Sequence, residues 1–234
     1  MQNDSLVADS NLTVLSESSC ASYAFPSLNR VAYFTTKRIF DLIFGIFGCL
    51  MLPPLLNLIK YSFLLTSDLA PLHFTQKRIG KNGKIFHLYK IRTMVPNAEE
   101  KLNLLLKDPI FKKQWQTNQK LDHDPRITKI GNFLRKTSLD EFPQFFNLLK
   151  GDMSLIGPRP LLPGELKRHK GNSELYQSIR PGITGWWAAN GRSEVTYKER
   201  LTLEYYYIQN CSLHMDLRCI FKTIHSIIFT KGAK

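Results

Sequence analysis

Two adjacent carboxylates, Asp140 and Glu141, sit in the densest polar stretch of the chain, DPRITKIGNFLRKTSLDEFPQFFNLLKGDMSLIGPRP, residues 124–160. Arg126, Arg135, Lys136 and Arg159 crowd the same stretch. An ionised carboxylate is a nucleophile, and a neighbouring carboxylate can hold a divalent cation. A structural reading is also open: Ser138 as N-cap and Glu141 as the third helical residue of a capping box. Pro143 tests it. With Ser138 at the cap, Pro143 falls at the fifth helical position, where its missing N–H is needed. A helix that starts at Asp140 or Glu141 puts the proline in the first turn, where it is tolerated. Both carboxylates then lie at the positive end of a helix dipole, beside unpaired N–H groups that also receive phosphate oxygens. On the residues alone, a phosphate or metal site and a structural cap with solvated charges both stand.

The elements around the dyad follow from pattern. Residues 72–95 read as a hairpin, turning at Asn82–Gly83 between alternating strands. Residues 97–107, 110–120 and 128–136 read as short helices, and 139–150 as a helix ended by Gly151. A Gly- and Pro-rich loop spans 157–164, and residues 163–179 and 196–209 are helical by pattern. The segment 213–229 places Leu217, Ile220, Phe221, Ile224, Ile227 and Ile228 on one face. Such a helix either packs that face on the core or lies in the plane of a membrane interface. The expected fold class is α+β, mainly helical, with no Rossmann sheet, because no Gly-rich fingerprint follows a strand.

A membrane signal precedes these elements. Leu42 to Ile59, LIFGIFGCLMLPPLLNLI, is eighteen residues without a charge. Pro53 and Pro54 interrupt it, and each lacks an N–H. The run up to Leu52 reaches about 16 Å, roughly half of a hydrocarbon core. Lys37 and Arg38 precede the run, and Lys60, Lys77, Arg78, Lys81 and Lys84 follow it. Basic flanks prefer the cytoplasmic side, so both ends prefer the same side. A re-entrant helix hairpin broken at Pro53–Pro54 satisfies both, with a kinked span and a buried core helix as alternatives. Asp41 needs a partner in lipid, and Arg38 on the same helical face is the expected one.

Length and composition bound the rest. The chain has 234 residues, of which 43% are apolar and 22% charged, and a formal net charge of +13. A sizeable core is available, which excludes a disordered or disulfide-stapled protein. Residues 1–30 carry Asp4, Asp9 and Glu17 against Arg30 and read as a disordered tail, so the positive excess lies in the remainder. Such a body seeks nucleic acid, anionic lipid or phosphorylated substrates. No nucleic-acid fold motif is present, and nucleic acid is not an expected partner. Cys20, Cys49, Cys211 and Cys219 form no CxxC pair and read as reduced thiols.

Taken in order, KR..D, the apolar run with central proline, YKIRTM, DPRITKIGNFLRKTSLDEFPQ, GDMSLIGPRP, RPGITGW and NGR resemble the bacterial sugar transferases that are monotopic phosphoglycosyl transferases. The resemblance runs from about residue 34 to 230. It implies transfer of a sugar 1-phosphate from a UDP-sugar to undecaprenyl phosphate with release of UMP, in two steps through a covalent aspartyl phosphosugar. It implies Mg2+ as cofactor. Asp140 takes the place of the nucleophile and Glu141 that of the magnesium ligand, with Asp140 beside the same ion. Arg159 is expected at the phosphates, and Arg135 as the residue orienting the dyad. The implied location is the cytoplasmic face of the bacterial cell membrane, with membrane lipid as a standing partner.

The implied division is a tail at 1–33, a re-entrant membrane helix at 34–66 and a cytosolic catalytic domain with membrane-surface helices at 67–234. Lys90 and Arg92 alternate on a strand and face one side, where they hold the donor pyrophosphate or form a solvated face. Arg126 either pairs with Asp124 or lines the site. Asn190 and Arg192 form a turn or touch donor. Trp186 and Trp187 pack in the core or stack on base or sugar. The sequence departs from the family in having Pro53–Pro54 where Ser–Pro is usual, and Ala188 where Gln is frequent. Analogy of the 97–123 insert and of GRSEVTY favours a hexose, galactose or glucose. Two other functions are weighed: a glycosyltransferase that moves only the sugar and releases UDP, and a non-catalytic membrane-anchored capsule-assembly protein. A homo-oligomer and a monomer are both compatible with the sequence.

Overall fold

A computed structural model describes residues 28–118, 121, 123–166, 173–191 and 195–228 of the chain. The tail expected at 1–33 therefore lies outside the described residues up to position 27, and its last part is already helical. Helix α1 runs from Leu28 to Leu65, 38 residues, with Pro53 and Pro54 inside it. It is long and apolar enough to cross a membrane. Residues 28–36 group apart, and from Lys37 onward the helix belongs to one compact unit with the rest of the chain.

Within that unit α1 is arranged inside out. Its buried residues are Lys37, Asp41, Gly45, Gly48, Ile59 and Phe63, one stripe at helical spacing. The first two are charged. Lys37 donates to Asp216 Oδ2 at 2.6 Å and to Tyr207 Oη at 3.2 Å. Asp41 accepts from Ser154 Oγ at 3.0 Å and from the Leu155 N–H at 2.8 Å. Arg38 donates to the carbonyls of Leu148 and Leu149, the last turn of a later helix. The Arg38–Asp41 pair expected from sequence is thus replaced by two long-range attachments, because each side chain finds a better-placed backbone partner. Meanwhile Phe47 and Leu50 are 62% and 66% exposed, and Ile39, Phe40, Ile43 and Ile46 are exposed with them.

Strands β1 (His73–Ile79) and β2 (Ile85–Ile91) form the expected antiparallel hairpin. Its turn needs left-handed backbone, and Asn82 and Gly83 supply it with φ of 55° and 75°. Phe86, Leu88 and Lys90 share one face of β2. The first two meet Leu148 and Met153 in one apolar cluster. Ile91, on the opposite face, joins Ile59 and Phe63 of α1 and Leu134 in the other. The hairpin strand therefore ties the long helix to the elements that carry the dyad.

Helices α2 (Ala98–Leu105), α3 (Pro109–Asn118) and α4 (Lys129–Thr137) follow. Thr128 caps α4 by accepting from the Gly131 N–H. Helix α5 (Gln144–Lys150) ends at Gly151, left-handed at φ 79°. A second sheet, not foreseen, pairs β3 (Ser154–Ile156) with β4 (Gly182–Thr184) in parallel. Gly182 is required there: a Cβ would lie 2.1 Å from the Gly157 nitrogen. Helices α6 (Ser173–Gln177) and α7 (Trp186–Ala189) flank β4 in sequence. Among the described residues of the expected 163–179 segment, 165–166 are 3-10 helical and α6 is the only α-helix.

Helix α8 (Tyr197–Asn210) starts on a Thr196–Glu199 capping box, and α9 (Leu213–Ile228) closes the described chain. Helix α9 buries Met215, Asp216 and Cys219 and exposes Leu217, Phe221 and Ile224. Its apolar stripe therefore faces outward, because the charged Asp216 is claimed by Lys37. The molecule is mainly helical with two small sheets.

Candidate active site

Asp140 and Glu141 lie in a 3-10 turn, Leu139–Glu141, that precedes α5. Ser138 is left-handed at φ 58° and makes no capping bond with its side chain, so the capping box is not formed. Pro143 stands at the N-cap and α5 begins at Gln144, later than the start at Asp140 or Glu141 expected from sequence. The cause is local. The Glu141 N–H donates to Ser138 O and the Phe142 N–H to Leu139 O, each at 3.2 Å, closing a tighter turn before the proline. Those two N–H groups are engaged, which leaves the Asp140 N–H, bonded to its own carboxyl, and side-chain cations facing the dyad.

The nearest cation is Lys90. Its Nζ lies 2.7 Å from Glu141 Oε1 and 3.9 Å from Asp140 Oδ2. Asp140 is buried and Glu141 half-buried. Burial, with the charge of Glu141 adding to it, pushes the Asp140 carboxyl up to about 6, against the pull of Lys90 and Arg135. Two carboxylates thus share one close lysine. Arg135, on α4, donates from Nε to Thr93 Oγ1 at 2.9 Å. Burial lowers its pKa, and the charges of Asp140 and Asp124 act the other way. Gly131 lets α4 approach this closely: a Cβ there would stand 1.9 Å from Thr93 O. Thr93 was not singled out in the sequence, where nothing but its place after YKIR marks it.

The other residues singled out distribute as follows. Arg92 does not join Lys90. Its guanidinium forks onto Asp68 at 2.8 and 3.0 Å and binds the carbonyls of Pro71, Ala70 and Met94. It lies one residue beyond the end of β2, where strand parity no longer governs. Arg126 is buried in a two-point pair with Asp124 at 2.6 and 2.8 Å, the structural alternative left open by the sequence. Arg192 lies outside the described residues. Asn190 bridges the Trp186 carbonyl and Lys222. Trp186 and Trp187 are half-buried, the first beside Lys222 and the second between Arg159 and Arg200. Arg159 is held through its backbone, its N–H donating to Glu204 Oε1 at 3.1 Å.

A carboxylate enclosed among cations, beside a second and more open carboxylate, suits attack on an electron-poor phosphorus. Among the described residues no group of three or more metal-type side chains forms a cage. The donor set present, Asp140 with Glu141, fits a small hard cation that completes its shell with substrate oxygens and water, as magnesium does.

The profile of the bacterial sugar transferase family matches residues 32–230. The undecaprenyl-phosphate galactose phosphotransferase of Salmonella typhimurium is 42% identical over 198 residues, 84% of this chain and 41% of that protein. The exopolysaccharide production protein ExoY of Sinorhizobium fredii is 39% identical over 199 residues, 85% of this chain and 88% of that protein. The undecaprenyl-phosphate glucose phosphotransferase of Komagataeibacter xylinus is 36% identical over 208 residues, 84% of this chain and 36% of that protein. The chain thus spans less than half the length of two of these relatives and most of the third. The match takes in α1, the hairpin, the dyad and helices α8 and α9 together, and the chain belongs to the bacterial sugar transferase family.

Proposed function

We propose that the protein transfers a hexose 1-phosphate, galactose or glucose, from a UDP-sugar to undecaprenyl phosphate and releases UMP. The observation that carries this reading is the shared lysine: Lys90 lies within ion-pair distance of both carboxylates, closer to Glu141, and Asp140 is buried beside it and within the influence of Arg135. In the first step a carboxylate oxygen of Asp140 attacks the sugar-bearing phosphorus. The bond from that phosphorus to the bridging oxygen breaks, and UMP leaves with the oxygen. In the second step an oxygen of undecaprenyl phosphate attacks the same phosphorus and the Asp140 carboxylate departs. Lys90 and Arg135 offset the charge that would otherwise repel a diphosphate from an anionic nucleophile. A magnesium ion held by Glu141, with Asp140 beside it, would neutralise charge on the phosphate oxygens. The names of the galactose and glucose phosphotransferases among the relatives support the acceptor and the hexose.

The membrane reading rests on α1. A contiguous apolar surface of this size is at home in lipid rather than water. Its early part docks through Lys37 to Gly48 and its later part through Leu55 to Phe63, both against the same body. That double attachment supports a monotopic, re-entrant arrangement over a span, since a span would carry one part away from the body, and the basic flanks at both ends of the apolar run support the cytoplasmic face. Cysteines placed before Lys37 and after Lys77 are expected to react with an impermeant reagent from the same side. Labelling from opposite sides would overturn the topology.

The chemistry is tested by intact mass after brief exposure to UDP-sugar without acceptor. Wild type is expected to gain one sugar phosphate, and Asp140→Asn to gain none while losing turnover by at least about 10⁴-fold. An adduct that survives Asp140→Asn, or released UDP in place of UMP, would overturn the reading.

A further inference from the structure

Beyond the dyad, three arginines from distant parts of the chain converge. Arg78 lies on β1, Arg159 in the GPRP loop and Arg200 on α8. Each is near enough to be felt electrostatically: burial lowers the Arg78 guanidinium to about 10, the charges of Arg159 and Arg200 add to that, and Glu165 and Glu141 oppose it. Geometry joins them as well: Arg78 Nη1 donates to the Pro160 carbonyl at 2.8 Å, which seats β1 against the loop that carries Arg159.

The cluster is not neutralised by the carboxylates it contains. Glu204, 1% exposed, gives one oxygen to the Arg159 N–H and the other to the Tyr176 hydroxyl, at 3.1 and 2.9 Å. Its distance to Arg200 Nε is 3.9 Å, an ion pair without a hydrogen bond. Glu165 stands 3.9 Å from Arg78 Nη1 and spends an oxygen on the Leu162 N–H. The donors left over are the Nε of Arg78, the Nε of Arg159, and the Nε and Nη2 of Arg200, all buried and unanswered. Buried guanidinium donors are ordinarily bonded, and four such donors on three neighbouring arginines match a ligand that offers several acceptor oxygens. The Trp187 ring holds the outer two in place, with Arg159 and Arg200 at 5.6 and 5.9 Å from its centroid.

We propose that Arg78, Arg159 and Arg200 together form a receptor for a phosphate ester, and that Glu204 is a positioning residue that fixes the Arg159 backbone within it. Arg200 presents Nε and Nη2 as a fork suited to two phosphate oxygens, while Arg159 and Arg78 each add one Nε donor, both Nη groups of Arg78 being bonded to Pro160 O and Gln76 Oε1. Resemblance assigns only Arg159 to phosphates; the structure adds Arg78 and Arg200. The proposal rests on the phosphotransfer reading for its ligand, which has two sources: the diphosphate of the donor and the phosphate of the polyprenyl acceptor.

The test uses the full chain in lipid nanodiscs. UDP affinity, the KM for each substrate and the Asp140 adduct are measured for wild type, Arg78→Gln, Arg200→Gln, Arg200→Lys and Glu204→Gln. The glutamine variants of the arginines are expected to weaken one phosphate ligand by at least about tenfold, with Arg200→Lys intermediate because it keeps charge and loses the fork. A rise in UDP Kd and donor KM identifies the donor diphosphate; a rise in acceptor KM alone identifies the polyprenyl phosphate. Glu204→Gln is expected to raise the same KM with kcat nearly kept, which a purely structural loss would not do. Should the glutamine variants fail to fold, Arg200→Lys decides: unchanged affinity for both substrates overturns the receptor. So do folded glutamine variants with both constants unchanged. If wild type binds UDP through Arg200 but forms no adduct on Asp140, the receptor stands and the covalent mechanism falls.

Discussion

Two lysine–carboxylate clusters show the difference between polarity that holds a fold and polarity that does work. In Lys37–Asp216–Tyr207, one lysine meets one aspartate at 2.6 Å, and the tyrosine hydroxyl bonds the other oxygen at 2.6 Å. Lysine and aspartate pair one to one, and the tyrosine hydroxyl takes the remaining carboxylate oxygen. In Lys90–Asp140–Glu141, one lysine serves two carboxylates, and the closer contact goes to Glu141. Asp140 is left buried and undersupplied with positive charge. The first cluster is complete without a ligand; the second is complete only with something cationic or electrophilic added.

Breaking each lysine separates the two. Lys37→Met leaves Asp216 buried without its cation and is expected to cost about 3–5 kcal/mol of stability. Thermal unfolding measures this, and the activity of the molecules still folded should be nearly unchanged. Lys90→Met should do the reverse. It is expected to lower kcat/KM by roughly 100-fold, about 3 kcal/mol of transition-state stabilisation, with little change in melting temperature because Glu141 keeps access to water. If Lys37→Met abolishes the chemistry of folded protein, or Lys90→Met unfolds it, the contrast is wrong.

A third acid sharpens the comparison. Burial raises the Glu204 carboxyl from its ordinary 4.5 to about 7, against the pull of Arg200 and its hydrogen bonds. An acid whose folded pKa is raised supports the fold fully below its unfolded pKa and loses that support as pH climbs through the folded one. Wild type should therefore lose up to about 3 kcal/mol between pH 4.5 and 7 relative to Glu204→Gln, which has no such proton to lose. Stability curves of the two proteins that run parallel across that range would remove Glu204 from this class.

Contiguous information was legible in the sequence. The dyad, the hairpin turn at Asn82–Gly83 and the apolar helix are each written within a few residues of one another. What was hidden depends on distance. Arg38 and Asp41 pair well on paper at helical spacing, yet their partners lie 110 and 113 residues away. Strands β3 and β4, three residues each, carry too little alternation to announce themselves. The 3-10 turn at the dyad escaped because Pro143 limits where an α-helix starts without saying what precedes it. Arg78, Arg200 and Glu204 come together only through the packing of β1 and α8, and no spacing encodes that.

The inward-facing charges of α1 also bear on how the molecule is made. Were the helix released into a bilayer as soon as it emerged, Lys37 and Asp41 would enter as bare ions. Their partners Asp216 and Ser154 are synthesised 179 and 113 residues later. Insertion before folding strands two charges in hydrocarbon, and folding before insertion leaves an oily helix in water. On the membrane reading proposed above, biogenesis is pressed into a single concerted event at the membrane surface, with anchor and body maturing together. A truncation that deletes α1 would take the Arg38 donors from the last turn of α5, the helix that follows the dyad, and is expected to leave a destabilised body rather than a soluble one.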